Sequence, residues 1–375
     1  VPIIAGGRVT GRAGPYTIGL LNIQTDEDPK TLVESTNFSV VRLKRDFLDR
    51  STIGVIGTHR SQAVDSPGIN SVWGLDTRLA FFSNFFIDAY YAQTRTEGRS
   101  DDDTSYRARA ENTGDRYGFA AEHLRVGKNF NPEIGFMRRQ DFRRSFGQAY
   151  FSPRHLSSDL VRKYTLRTSL DYYEGDSTGI VETREVKAEF NIQFENGETW
   201  RNSYSQNYEF LTEPFEITDG IVIPVGGYDF QTVQSRYMLR THRPLSGTLA
   251  VQTGTFFGGE RSEASFSGRL KLSTKLGIEP SVAVNVIDLP QGSFTTQIAR
   301  ARVIYTMSPR MFVEALTQYS SASDAVGTNV RYRWEYTPGS DLFVVYTEAR
   351  DTLIDGFPEL INRGFAIKLT KLIRF

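Results

Sequence analysis

Hydrophobic and polar residues alternate along most of the chain with a period of two. The alternation is clearest in residues 72–82, 162–173, 186–194, 264–274 and 330–336. Because successive side chains of a β-strand point to opposite faces, this pattern predicts strands with one apolar face and one polar face. The runs have roughly the 9–11-residue length that a tilted membrane-spanning strand needs. No segment shows a helical period of comparable quality.

The connections between these runs are of two kinds. Short turns rich in Gly, Asn, Ser and Pro, such as 196–197 and 338–339, alternate along most of the chain with longer polar connections, such as 211–226 and 351–361. Outer-membrane barrels show this alternation, with short periplasmic turns and longer outside loops. Keeping it requires residues 128–144 to form one outside or inward-folded loop rather than an extra hairpin.

The strand number follows from this alternation. It comes to roughly 20 strands from Tyr16 to Phe375, with one more if residues 3–12 also span. The sequence therefore predicts an all-β fold, a large antiparallel transmembrane β-barrel of the outer-membrane type with roughly 20–22 strands, as one domain over residues 1–375. An odd strand number would place the chain ends on opposite sides of the membrane, and the chain has no signal peptide. We therefore expect a further strand and a further domain before Val1.

The composition is unusual in its aromatic residues. Of 375 residues, 26 are Phe, 18 Tyr and 3 Trp. Aromatic residues at the ends of apolar strand faces are typical of the two membrane interfaces of a barrel. The mean hydropathy of -0.37 is then an average over two opposed faces. A large soluble β-sandwich or propeller fits the composition equally well, but its strands would be shorter, about 5–6 residues.

Several classes of function are excluded or disfavoured. The chain has no Cys, which excludes disulfides, Cys-ligated zinc, iron–sulfur centres and thiol nucleophiles, and its net charge of +0 disfavours nucleic acid as a partner. The four histidines are scattered without the spacing of a metal site or a catalytic triad. The acidic run 101–103 is typical of a solvated loop tip more than of a calcium site. We therefore predict no catalytic residue, no metal ligand and no cofactor, and we do not expect an enzyme.

Basic residues recur in mid-strand on the predicted polar face. They are Arg42, Lys44, Arg78, Arg107, Arg109, Arg167, Arg269, Lys271, Arg300, Arg302, Arg331 and Arg333. In one interpretation they line a water-filled lumen and set its selectivity for ions or solutes. In the other they form salt bridges with carboxylates that brace or fill the interior.

A basic segment within the predicted loop 128–144 is a candidate constriction. Its charged residues are Arg138, Arg139, Asp141, Arg143 and Arg144. Such a loop either folds inward as a constriction or plug, or stays outside as an exposed recognition loop.

The C-terminal segment keeps the strand alternation to the last residue. Phe365, Ile367, Leu369, Ile373 and Phe375 share its apolar face, interrupted only by a lysine. A last strand ending in Phe resembles the signal that is read by the outer-membrane barrel assembly machinery, which we therefore expect as a partner during biogenesis. An ordinary edge strand that ends in Phe is the other interpretation.

Several longer stretches resemble one bacterial family. They are VPIIAGGRVTGRAGPYTIGLLNIQT, NFSVVRLKRDFLDRSTIGVIGT, WGLDTRLAFF and FNPEIGFMRRQDFRR, together with the C-terminal strand. The family resembled consists of outer-membrane barrels of unknown function whose barrel follows a carbohydrate-binding module similar to family nine. The resemblance covers essentially the whole chain and implies an outer-membrane location and a link to saccharides. The chain departs from this family at its N-terminus, where we expect that module to be absent from the sequence that begins at Val1.

These patterns together predict passive or gated passage of a polar solute, such as an oligosaccharide, through a charge-lined lumen in the bacterial outer membrane. The alternative is a structural anchor, or a subunit of an outer-membrane complex, with a sealed lumen. The expected surroundings are the lipid bilayer and lipopolysaccharide, with other outer-membrane or periplasmic proteins as further partners.

Overall fold

The structure, a computed structural model, describes residues 1–28, 33–64, 68–155, 157–353 and 358–373. The described residues form these strands: β1 (Ile3–Ala13), β2 (Tyr16–Thr25), β3 (Asn37–Phe47), β4 (Ser51–Arg60), β5 (Asn70–Phe81), β6 (Phe85–Thr96), β7 (Thr104–Thr113), β8 (Tyr117–Val126), β9 (Phe142–Phe151), β10 (Val161–Gly175), β11 (Val181–Phe194), β12 (Thr199–Leu211), β13 (Phe215–Thr218), β14 (Ile221–Ile223), β15 (Gly226–Leu239), β16 (Leu245–Phe256), β17 (Gly259–Lys271), β18 (Leu276–Leu289), β19 (Gly292–Ser308), β20 (Met311–Ser320), β21 (Ala325–Thr337), β22 (Ser340–Asp351) and β23 (Glu359–Leu369). Within this part of the chain, no helix has the length and apolar character to span a membrane.

Twenty-one of the described strands belong to one antiparallel sheet, and β13 and β14 form a separate hairpin. From β1 to β9 and again from β15 to β23, each strand pairs with its neighbours in sequence. The predicted all-β, antiparallel fold class with roughly 20–22 strands is therefore confirmed.

The chain divides into two compact units. The first consists of Val1–Ser152, Arg167–Lys187 and Asn207–Leu211, and the second of Pro153–Leu166, Ala188–Gln206 and Thr212–Phe375.

In the first unit the strand register separates apolar from charged residues. Leu75 lies opposite Tyr91, and the next pair along the same two strands is Asp76 opposite Tyr90. We call the side that carries Leu75 the apolar face and the side that carries Asp76 the charged face. The apolar face is open, since Trp73 is 54% exposed and Leu75 46%.

Aromatic rings form a row at the short-turn end of this apolar face. Phe81 and Phe85 have ring centroids 6.1 Å apart, Phe85 and Phe119 6.2 Å, and Tyr117 and Phe151 5.1 Å. The rings lie at the ends of β5, β6, β8 and β9. This is the position in which an aromatic girdle meets a membrane interface.

The second unit has the same two faces. Leu249 lies opposite Phe266 and Val251 opposite Ala264, whereas the intervening pair is Ala250 and Ser265. Leu249 is 54% exposed and Val251 49%. Large aliphatic residues are thus turned outward on this unit as well, and its charged face carries Arg, Lys and Glu.

Most of the buried apolar residues in the described part of the chain lie at the long-connection ends of the strands. In the first unit Val126, Phe130 and Phe142 form a small core with Tyr173 beside it. In the second unit the fully buried Ile223 is in the β13–β14 hairpin. Each core contains residues from outside the main sheet, so these connections fold back on the strands.

Candidate functional site

Glu122 is the centre of an ion-pair network on the charged face of the first unit. Its side chain is only 3% exposed. It accepts hydrogen bonds from Arg107 Nη2 at 2.5 Å, Arg109 Nη1 at 3.2 Å and Arg144 Nη1 at 2.7 Å. β8 brings the carboxylate directly opposite Arg109 on β7, and β9 supplies Arg144 from its other side. One buried carboxylate therefore ties three neighbouring strands together.

The arginines around Glu122 have further acidic partners. Arg109 Nη2 donates to Glu111 at 2.8 Å, and Arg144 donates through Nε and Nη2 to both oxygens of Asp171 at 2.7 and 2.8 Å. The bidentate pair is the stronger arginine–carboxylate geometry. The cluster thus matches three guanidinium groups with three carboxylates.

Two further ion pairs lie on the same face. The guanidinium of Arg42 donates to both oxygens of Asp76. Arg78 Nε lies 3.7 Å from Asp88 Oδ1. Most of the predicted basic residues of the first unit are therefore neutralised by a carboxylate on a neighbouring strand.

The second unit carries ion pairs of the same kind on its charged face. Arg302 bonds Glu314 at 2.9 Å and Glu279 at 3.4 Å, and Glu279 also lies 3.7 Å from Arg269. Arg333 bonds Asp341 at 2.8 Å. The strand register brings these partners together, since Arg302 is directly opposite Glu279.

The other predicted basic residues have different surroundings. Arg167 lies over the ring of Tyr150, and Arg331 lies 4.9 Å from the ring centroid of Phe343. Within the described residues Lys44, Lys271 and Arg300 are in no ion pair. All the predicted basic residues lie in strands, but their role in lining a lumen stays a prediction.

Residues 127–141, which connect β8 to β9, pack onto the charged face. Fully buried Asn70 donates through Nδ2 to the carbonyl oxygen of Asn131 at 2.7 Å and to Thr96 Oγ1 at 2.7 Å. The backbone N–H of Asn131 donates to Thr94 Oγ1 at 3.1 Å. These polar contacts attach the segment to the long-connection ends of β5 and β6.

Glu133 adds a charged attachment to the same segment. Its side chain is 3% exposed and accepts from Arg60 Nη1 at 3.2 Å. The backbone N–H of Val64 donates to the same carboxylate at 3.0 Å, and Asn131 Nδ2 at 3.0 Å. Phe130 meanwhile packs with Val126 and Phe142. The segment is thus held by a buried carboxylate at one point and by an apolar core at another.

The residues of the predicted constriction have different surroundings and do not all lie in one loop. Arg138 is exposed, whereas Arg139 pairs with Glu182 and lies 5.6 Å from the ring centroid of Tyr173. Asp141 accepts the backbone N–H of Ser177 at 2.9 Å.

The predicted loop boundary at residue 144 is wrong for Arg143 and Arg144. The loop was expected to reach residue 144, but β9 begins at Phe142, so both arginines are strand residues. Their backbones pair with Arg125 and Leu124 of β8.

The sequence alone does not indicate the residues that attach the segment. Asn131 and Glu133 flank Pro132 in a stretch without alternation. Their partners Arg60 and Asn70 lie more than 60 residues earlier. Nothing local in the sequence indicates which side of the loop meets the sheet.

The second unit has its own folded-back segment, the β13–β14 hairpin. Its turn contains Gly220, whose φ of 79° favours glycine. The ring of Phe215, the first residue of β13, lies 6.3 Å from that of Phe257, whose ring is 4.9 Å from that of Phe230. The sequence predicted only an outside connection here, although Asp-Gly between apolar residues is a hairpin signal.

The C-terminal strand places its apolar residues as predicted as far as Leu369. Phe365 pairs with Tyr346, and Phe365, Ile367 and Leu369 are between 63% and 67% exposed. Ile373 differs, because β23 ends at Leu369 and Ile373 follows it outside the strand. Phe375 lies outside the described residues. The role of these residues as an assembly signal stays a prediction.

Two carboxylates of the acidic run 101–103 accept hydrogen bonds from side chains of the protein. Asp102 Oδ1 accepts from Arg125 Nη2 at 2.7 Å, and Asp103 accepts from Gln93 Nε2 at 3.1 Å. Among the described residues no group of three or more His, Asp or Glu side chains is arranged to hold a metal ion.

Comparisons with known proteins give only distant similarities. No family model and no curated protein sequence matches the chain. A ferric-catecholate import receptor from E. coli K12 is similar over 96% of this chain and 71% of its own, with 8% identity and a TM-score of 0.43. A ferric yersiniabactin uptake receptor from Yersinia pestis is similar over 92% of this chain and 58% of its own, with 11% identity and a TM-score of 0.31. Because both TM-scores lie below 0.5, these similarities establish neither a ligand nor a mechanism for this chain.

Proposed function

We propose that the chain is an outer-membrane β-barrel that gives a polar solute passive or gated passage, with residues 127–141 as a constriction. The observation that carries the proposal is the separation of the two faces. Large apolar side chains of paired strands share one face, as Leu249 and Phe266 do, whereas charged side chains such as Arg78 and Asp88 share the other, and many of the large apolar side chains are exposed.

The apolar face supports a bilayer environment. Side chains such as Trp73, Leu249 and Ile367 are each more than half exposed. A continuous apolar surface of this kind is rare on a soluble monomer and is stabilised by contact with lipid. In the outer membrane this surface would meet the lipid bilayer and lipopolysaccharide.

The charged face supports a water-filled passage. A charged Arg or Lys facing lipid at the bilayer midplane costs about 2–4 kcal/mol, so these residues require the side away from lipid. Within the first unit, mid-strand charges such as Arg107 and Glu122 are then hydrated or paired along a path over this face. A polar solute would follow this path without any covalent step.

The attachment of residues 127–141 supports a restricted passage. The segment is fixed to the charged face through Asn131 and Glu133. A segment on this side reduces the space open to a solute, and its release would widen that space. We assign gating to this segment.

A second candidate function is a structural anchor or a subunit of an outer-membrane complex with a sealed lumen. The ion pairs of Arg42, Arg107, Arg109 and Arg144 favour it, because paired charges brace an interior as well as they line one. Stable copurification with other outer-membrane or periplasmic proteins would support this alternative.

Conductance distinguishes the two functions. The refolded chain is inserted into planar bilayers, and liposome swelling with sugars of increasing size gives the solute range. Passage predicts stepwise conductance and swelling by small sugars; a link to saccharides, as the family resemblance implies, predicts swelling by an oligosaccharide. A correctly folded chain that gives neither conductance nor swelling would exclude passage and leave the anchor.

A further inference from the structure

The charged face of the second unit has basic side chains left over after its acidic ones are paired. From this we infer that the solute is anionic, carrying a carboxylate, phosphate or sulfate group. The inference rests on the proposed passage and names the class of solute.

The mid-strand carboxylates of this face are already engaged. Glu263 bonds Arg261 at 2.7 Å, and Glu314 bonds Arg302 at 2.9 Å. Glu279 pairs with Arg302, and Asp341 pairs with Arg333. Glu335, next to a short turn, accepts the backbone N–H of Gly339. A cationic solute would therefore have to compete with an arginine for each of the paired carboxylates.

Arg300 is the clearest of the remaining basic groups. It lies in the middle of β19, directly opposite Ser281 on one side and Gln318 on the other. Its side chain is exposed, and no ion pair engages it within the described residues. Neutral neighbours on both sides leave its charge open to a passing anion.

Arg331 and Lys271 extend this uncompensated charge. Arg331 lies opposite Glu314, but that carboxylate is bonded to Arg302. The guanidinium of Arg331 rests on the ring of Phe343, which holds it in place without cancelling its charge. Lys271 is exposed at the short-turn end of β17.

The spacing of these groups indicates a diffuse preference rather than a tight binding site. Arg300 and Arg331 lie two strands apart, so about 10 Å separates their strands. A unit charge in water about 4–8 Å from a passing ion changes that ion's local concentration about two- to six-fold. The effect falls with salt, because the screening length is about 10 Å at 0.1 M and 3 Å at 1 M. Selectivity should therefore be strongest in dilute electrolyte.

The test measures the reversal potential of the full chain in planar bilayers under a gradient of potassium chloride. Chloride is the anion probe and potassium the cation probe. We expect a permeability ratio of chloride to potassium above one, and a fall of at least about two-fold in the ratio for Arg300→Gln and for Arg331→Gln. Arg45→Gln is the matched control, because it removes the same charge from an exposed arginine on the apolar face.

Each outcome decides the inference. A conducting chain whose permeability ratio of chloride to potassium is at or below one would overturn the inference of an anionic solute and leave the proposed passage intact. The same conclusion would follow if Arg45→Gln and Arg300→Gln changed the ratio equally. A folded chain without conductance refutes passage and the inference together. Refolding of the Gln variants is confirmed by the heat-dependent shift in gel mobility, and Arg300→Lys, which keeps the charge, should restore the ratio.

Discussion

Replacing Glu133 with Gln tests whether a buried carboxylate holds residues 127–141 on the charged face. The carboxylate accepts from Arg60 at 3.2 Å, from the backbone of Val64 at 3.0 Å and from Asn131 at 3.0 Å. Gln keeps the size and one acceptor oxygen but removes the charge. Its amide N–H groups would point toward groups that are themselves donors.

The magnitude follows from the burial of this pair. Removing one partner of a buried ion pair costs about 3–5 kcal/mol, and a hydrogen bond to a charged group contributes about 1.5–3 kcal/mol. The side chain of Glu133 is 3% exposed but that of Arg60 is 16%, so water recovers part of the loss. We expect about 2–3 kcal/mol, which raises the ratio of released to attached segment about 30- to 150-fold.

Trypsin reports the release directly, because Arg138 and Arg139 lie within the segment. At low protease concentration the cleavage rate follows the population of the open form. Cleavage there should divide the chain between β8 and β9. In the Glu133→Gln variant the cleavage rate should rise about 30- to 150-fold. In planar bilayers the same variant should spend more time in a state of higher conductance.

Two comparisons make this test decisive. Glu34→Gln changes an exposed carboxylate away from the segment and should leave the cleavage rate and conductance unchanged. Asn131→Ala removes a donor to Glu133 and should act in the same direction as Glu133→Gln, with a smaller effect. Glu133→Gln with the cleavage rate and conductance of the original chain would show that this carboxylate does not hold the segment.

Three further predictions concern stability. Glu122→Gln leaves three arginines undercompensated and should lower the free energy of unfolding by about 1–3 kcal/mol in urea titrations of the refolded chain. Val251→Lys on the apolar face should lower it by about 2–4 kcal/mol in lipid, whereas Gln252→Lys on the charged face should change it little. Glu198 lies in the turn before β12 and accepts a hydrogen bond from Tyr237, which lowers the pKa of Glu198 below its ordinary value of 4.5. The ionised carboxylate therefore stabilises the folded chain fully above about pH 4.5, and this stabilisation is lost as the pH falls through the folded pKa. Tyr237→Phe should therefore destabilise the chain at pH 7 more than at pH 3.

The strands and their two faces could be predicted because they depend on a local pattern. Once Leu75 and Asp76 are assigned to opposite faces of β5, every other residue of that strand follows from the period of two. A register error of one residue would turn Asp76 toward the apolar face, so the pattern also limits the pairing of neighbouring strands.

The folded-back segments could not be predicted in the same way. The position of residues 127–141 depends on Arg60, Asn70 and Thr94, which are distant in sequence and look like ordinary strand residues. The start of β9 was misplaced for a related reason. Arg143 and Arg144, which follow its first residue Phe142, are charged, and only their pairing with β8 makes them part of a strand.

The ion-pair network and an open passage are compatible on physical grounds. Glu122 and Arg109 lie directly opposite each other, so their pairing stabilises one register of β7 and β8. Unpaired arginines at every such position would repel one another at close range and destabilise the sheet. Most of these arginines are paired, whereas Arg300 and Arg331 are in no ion pair within the described part of the chain. If the chain gives passage as proposed, the paired charges would stabilise the strands and the two remaining charges would act on the solute. Variants of the network should therefore change stability more than selectivity, and variants of Arg300 should do the reverse.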